Sequence, residues 1–172
     1  LGRMWEEDVC DFTDVTVGVG RLQQVLRELS PAYGADVSPP ADGRRILLLP
    51  APGEQHTLGL AMVSEFFRHA GWDVVGGVGA DGLDPFEVVR AEWFDIVGLS
   101  AGHHARLDWL REGISRLRQL SRNRGIGVLL GGPLFVLTPD SGLEVGGDLV
   151  ITDGQNGPAA AEALLGARRG RL

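Results

Sequence analysis

A chain of 172 residues with 44% hydrophobic content can bury one sizeable core and is too apolar for a disordered polypeptide. Its formal charge of −7 disfavours non-specific nucleic-acid binding by the domain as a whole. No apolar run approaches the roughly 20 residues that span a bilayer, which argues against a membrane protein and for a cytoplasmic one.

The chain opens at Leu1, without a Met, directly in an amphipathic pattern, as a fragment of a longer protein would. Residues 1–30 read as a small helical segment. A short helix carries Met4 and Trp5, and another starts near Asp11 or Thr13. Leu22, Val25, Leu26 and Leu29 then recur at helical spacing. The single cysteine, Cys10, excludes an intrachain disulfide and a cysteine-based zinc site. Residues 31–43, rich in Pro, Gly and Ala, read as a linker.

From residue 44 the texture changes to strands alternating with helices, and residues 44–172 read as one α/β domain. "ILLLP" is a buried strand and "TLGLAMVSEFFRHAG" a helix closed by Gly71. "WDVVGG" is a strand, and "DPFEVVRAEW" a helix with Pro85 in its first turn. "DIVGLS" is a strand, followed by a long helix over "ARLDWLREGISRLRQLSRNRG" with Leu107, Leu110, Ile114 and Leu117 facing inward. "GVLLGG" is a strand, residues 133–147 read as irregular, "DLVIT" is the last strand and "GPAAAEALLGA" the last helix. Unbroken aliphatic strands between helices imply a parallel sheet covered on both faces. The expected fold is therefore flavodoxin-like, a five-stranded parallel sheet of order 2-1-3-4-5 with a short amino-terminal helical appendage. Ligands then bind past the carboxyl ends of the strands, where strands 1 and 3 part.

Three features fall at that edge: His56 in the loop after strand 1, Ser100 ending strand 3, and Gly131-Gly132 ending strand 4. A phosphoreceiver domain would need clustered Asp and a Lys, but all 16 basic residues are Arg. A flavin mononucleotide site wants a loop rich in hydroxyls after strand 1, and "PGEQHTLG" offers only Thr57. The Gly-x-Gly-x-x-Gly of a dinucleotide fold is missing.

The pattern that remains, Glu54-x-His56-x-x-Gly59, then Ser100, then Gly131-Gly132, resembles the cobalamin-binding domain. That family carries Asp-x-His-x-x-Gly, Ser-x-Leu and Gly-Gly at the same three loops, and the likeness covers roughly residues 44–167. It implies His56 as lower axial ligand to cobalt, with Glu54 as the acidic group behind the imidazole. Gly59 would let the helix start close to the ligand, and Ser100 would hydrogen-bond the displaced dimethylbenzimidazole. Gly131 and Gly132 would make room for the nucleotide tail, and Gln55, Thr57 and Thr152 complete the expected contacts. Two departures stand out: Glu54 replaces Asp, and Gly102 stands where the family has Leu.

The amino-terminal segment "WEEDVCDFTDVT" is similar to the AerR/PpaA antirepressors of purple photosynthetic bacteria and to the related domain of AppA, a "sensor containing heme instead of cobalamin". On this likeness residues 1–30 are a helical cap segment with Trp5 as the cap tryptophan. Val15-Thr16 stand where photoreceptor relatives have Glu-His. The resemblance implies a light-responsive regulator rather than an enzyme. Its cofactor would be hydroxo- or adenosylcobalamin, and its partner a CrtJ/PpsR-type repressor of photosystem genes. DNA is a further expected partner, through the repressor or through a basic helix face at Arg111, Arg118 and Arg122. A haem-binding redox or light sensor in the same pocket, and a corrinoid methyl carrier or mutase module, are the competing readings. His103 and His104 read as polar residues at a helix start, and His69 as a helix-terminal residue favourable to the dipole.

Overall fold

The computed structural model describes residues 43–54, 57–77 and 82–169, with positions 17, 18, 20–22, 24, 25 and 28 of an amino-terminal helix. Trp5, Cys10, the run "WEEDVCDFTDVT" and residues 31–42 of the expected linker lie outside the described residues. Two compact units divide the chain, Leu1–Asp36 and Val37–Leu172. In the first, Gln24 Nε2 donates to Glu28 Oε1 one helical turn later at 2.8 Å.

The second unit is a five-stranded parallel sheet in the order β2-β1-β3-β4-β5. Its strands are β1 (Arg45–Pro50), β2 (Asp73–Gly76), β3 (Ile96–Ser100), β4 (Gly127–Gly131) and β5 (Leu149–Val150). The helices are α1 (Leu58–His69), α2 (Pro85–Ala91), α3 (Leu107–Leu120), α4 (Pro133–Leu137), α5 (Asp140–Glu144) and α6 (Gly157–Arg169). Single 3-10 turns lie at His104–Arg106 and Gly154–Asn156. Among the described residues no helix is long and apolar enough to cross a membrane.

Alternation of side chains along each strand sorts the core into two layers. Leu47, Leu49, Val97, Leu99, Val128 and Leu130 pack with Val89 of α2 and with Leu110, Ile114 and Leu117 of α3. Ile46, Leu48, Ile96 and Leu129 point the other way, onto Leu60 and Phe67 of α1 and Ala161 of α6. Both faces of β1 and β3 are thus dry over residues 46–49 and 96–99, which is why these stretches carry no polar side chain. Each such side chain contributes about 1.5–3 kcal/mol by leaving water.

Departures from the sequence expectation have local causes. The long helix is preceded by the 3-10 turn and stops at Leu120, because polar groups past it take up the backbone. Asn123 N bonds Ser121 Oγ at 3.1 Å, Asn123 Nδ2 reaches Phe94 O at 2.8 Å, and Arg122 N bonds Val89 O at 2.9 Å. Residues 133–147 are not irregular but hold α4 and α5. Pro133 starts α4 without losing a needed donor, and Leu134 and Phe135 are buried beneath it. The last strand is two residues long where "DLVIT" had been expected. In α2, Asp84 Oδ1 accepts from Phe86 N at 2.9 Å. Replacing Asp84 with alanine should cost about 1 kcal/mol, read as a lower urea midpoint at unchanged slope.

Charged groups gather at the amino-terminal end of the sheet, away from the strand ends that carry the site. Arg45 donates to Asp73 at 2.6 Å and to Glu92 at 2.9 Å and lies 4.8 Å over the Phe94 ring. Hydrogen bonds to Asp73 and then Glu92 raise its pKa above the ordinary arginine value. The expected basic face is engaged within the domain. Arg111 pairs with Asp108 at 3.0 Å, Arg118 with Asp148 at 2.9 Å, and Arg122 donates to Ala91 O at 2.9 Å.

Candidate functional site

Three strand ends stand in one row. Pro50 of β1 is in register with Ser100 of β3, and Ser100 with Gly131 of β4. Neighbouring strands lie about 4.8 Å apart, so the three exits begin within about 10 Å of each other. The row continues one residue further, with Ala51 N bonding Ser100 O at 2.8 Å and Ala101 N bonding Gly131 O at 3.0 Å. β2 lies on one side of β1 and β3 on the other. The connections leaving β1 and β3 therefore diverge and open a crevice between them.

The loop after β1 turns at Pro52-Gly53, where Gly53 has φ +72°. Glu54 N bonds back to Ala51 O at 2.9 Å. This tight turn carries the Glu54 carboxylate inward: the residue is only 9% exposed. Its Oε2 accepts from Gly102 N at 2.5 Å. Arg106 Nη2 donates to Gly53 O of the same loop at 3.1 Å. Thr57 O accepts from Ala61 N at 2.9 Å and opens α1. At Gly59, in the first turn of α1, an added Cβ would meet nothing within 4 Å. Gln55 and His56 lie outside the described residues, so the expected approach of Glu54 to the imidazole does too.

Across the crevice Ser100 is buried at the end of β3. Gly132 has φ +101°, and a Cβ there would stand 2.5 Å from Ala101 O and 2.8 Å from Ser100 Oγ. Only glycine lets the β4 exit run this close to the β3 exit. At Gly131 the nearest atom to an added Cβ is Ile151 O at 3.5 Å.

Of the other expected contacts, Thr152 is exposed just past β5, the strand that pairs with β4. Trp5 lies outside the described residues. His103 and His104 are exposed, His103 as the cap of the 3-10 turn and His104 as its first residue. They stand on the rim that also carries Gly102. His69 is the last residue of α1. Sequence reasoning missed Arg106 altogether. It noted Gly102 only as a departure, although the direct bond to Glu54 spans 48 positions.

A family model described as the B12 binding domain matches residues 44–162. The chain is 32% identical over 154 residues to an uncharacterised 20.5 kDa protein from the bchF-crtJ intergenic region of Rhodobacter capsulatus. That match covers 89% of this chain and 79% of the relative. Among solved structures, a cobalamin-binding protein of Desulfitobacterium hafniense superimposes with a TM-score of 0.61 at 22% identity. It is covered over 75% of its length, by 94% of this chain. The monomethylamine corrinoid protein of Methanosarcina barkeri gives 0.73 at 17% identity, over 95% of this chain and 76% of that one. At such identities the two structures share the fold.

Proposed function

The chain belongs to the B12-binding domain family, and on that premise we propose that it is a cobalamin-binding, light-responsive regulator of transcription that catalyses no reaction. The observation that supports this reading is the row of strand ends at Pro50, Ser100 and Gly131, from which the loops with the family's three motifs leave. The residues fit a corrinoid. Open space beside Gly59 allows a planar ring system to approach the start of α1. Glycines at 131 and 132 keep side chains out of the β4 exit.

In this reading His56 would offer a neutral imidazole to the cobalt, and the buried acid two residues before it would steady the loop leaving β1. The Ser100 hydroxyl would hydrogen-bond the cofactor's nucleotide base. Gln55, Thr57, Thr152 and Trp5 are the further residues proposed to contact the cofactor. Bound adenosylcobalamin supplies a cobalt–carbon bond that visible light breaks. Its loss under illumination would change what the protein presents to a partner.

A repressor of the CrtJ/PpsR type is the proposed partner, in the cytoplasm, with DNA met through it. Two things support a regulator: the similarity of "WEEDVCDFTDVT" to the antirepressors, and the Rhodobacter capsulatus relative from the bchF-crtJ intergenic region. A methyl carrier is expected to keep Asp and Leu where this chain has Glu54 and Gly102.

Absorption spectra discriminate the readings. The purified chain, mixed with hydroxocobalamin, adenosylcobalamin or haemin and then desalted, is expected to retain a corrinoid. The adenosyl form should convert on illumination to the hydroxo spectrum and change the affinity for the repressor. Tight haemin retention without corrinoid uptake would overturn this reading in favour of a haem sensor. Methyl transfer from a loaded methylcorrinoid to a thiol or amine acceptor would overturn it in favour of a carrier.

A further inference from the structure

The two departures from the family motif, distant in sequence, touch each other in the fold. Glu54 carries one methylene more than the family's Asp, and with that extra reach its Oε2 arrives at Gly102 N, 2.5 Å away. Gly102 stands where the family has Leu, and a Cβ there would lie 2.7 Å from Glu54 Oε2 and 3.2 Å from Cδ. The carboxylate thus fills the place a larger side chain would take. The Gly102 backbone is not in the left-handed region, so it is this space, rather than chain conformation, that requires glycine. A second tie runs parallel: Arg106 donates to Gly53 O, and a Cβ on Gly53 would come within 2.9 Å of Arg106 Nη2.

We infer that Glu54 and Gly102 form a matched pair which, with Arg106, fastens the start of the loop leaving β1 to the exit of β3, so that the β1–β3 edge of the site is set before any cofactor arrives. Glu54 and Arg106 are positioning residues, and each member of the pair is tolerated only with its present partner. E54D withdraws the carboxylate and leaves the Gly102 amide without its acceptor. G102L drives a side chain into the carboxylate. Made together, the two changes restore the family's Asp-and-Leu arrangement, so the effects should not add. The bearing of the pair on cofactor binding rests on the corrinoid reading; the pairing itself does not.

A double-mutant cycle on the full chain tests both levels. In the cofactor-free protein, E54D and G102L should each lower the thermal midpoint, and E54D/G102L should recover most of the loss. With hydroxocobalamin, each single variant should bind about 10–100-fold more weakly, with the double variant returning towards wild type. R106A should weaken binding and broaden the absorption of the bound pigment, and R106K should restore part of both. Strictly additive losses in the cofactor-free cycle would overturn the pairing. Coupling in stability with no loss of corrinoid affinity or change of spectrum in any variant would overturn the bearing of the pair on cofactor binding. Failure of the wild-type chain to take up any corrinoid would instead strike the corrinoid reading, while the cofactor-free cycle still decides the pair.

Discussion

Substituting His56→Ala is expected to weaken corrinoid retention by more than about 100-fold while leaving the fold intact. Removing a group behind a metal-bound histidine typically costs 10–100-fold in affinity, so removing the ligand itself should cost more. Among the described residues, the two core layers are built from the strands and from α1, α2, α3, α4 and α6. Equilibrium dialysis against hydroxocobalamin, with circular dichroism on the same sample, reads both halves of the prediction. Affinity and pigment spectrum unchanged from wild type would remove His56 as a ligand.

Gly132→Ala is expected to damage both stability and binding, for a reason that does not depend on the cofactor. Gly132 has φ +101° and ψ 172°, a region essentially closed to residues with a side chain. A methyl group there would also stand 2.5 Å from Ala101 O and 2.9 Å from Ala101 N, backbone atoms that cannot swing aside. Strain and displacement together should cost about 3 kcal/mol. In a chain of this size each kcal/mol lowers the thermal midpoint by about 2–4 °C. The exits of β3 and β4 must separate to admit the methyl group, so corrinoid affinity should fall with stability. A variant as stable as wild type would show that the exits part easily and that the close approach at Gly132 is not needed. Gly59→Ala serves as a contrast. Its added Cβ meets nothing within 4 Å, so stability should hold or rise slightly by helix propensity.

The fold was legible where burial is two-sided. Leu47 and Leu48 face opposite core layers, so the strand reads as an unbroken aliphatic run. Five such runs between helical periods leave few arrangements of a parallel sheet. Elements too short for a period were not legible: α4 and α5 have five residues each, less than two helical turns. β5 is shorter than expected because it pairs with β4 only at Leu149 and Val150.

At the site, the glycines and the serine could be placed from sequence because they end strands whose order was already implied. The bond from Glu54 to Gly102 could not, because nothing in spacing links positions 48 apart. Two separate oddities in the motif were visible; that they compensate one another is a fact of three dimensions. Arg106 was overlooked for a similar reason, since one arginine among 16 basic residues carries no local signature. On the basic face, Arg118 of α3 and Arg122 just past its end bond to Asp148 and to Ala91 O, partners distant in sequence that periodicity alone does not name.

Coordination of cobalt by His56 is tested most directly by electron paramagnetic resonance. The protein is loaded with the cobalt(II) form of cobalamin after growth on histidine labelled with nitrogen-15, the cofactor itself remaining unlabelled. Splitting of the cobalt lines by the axial nitrogen should change from a triplet in unlabelled protein to a doublet in labelled protein, and the doublet should vanish in H56A. A triplet that survives labelling would mean that the axial nitrogen is still the cofactor's own base, and that His56 is not the ligand.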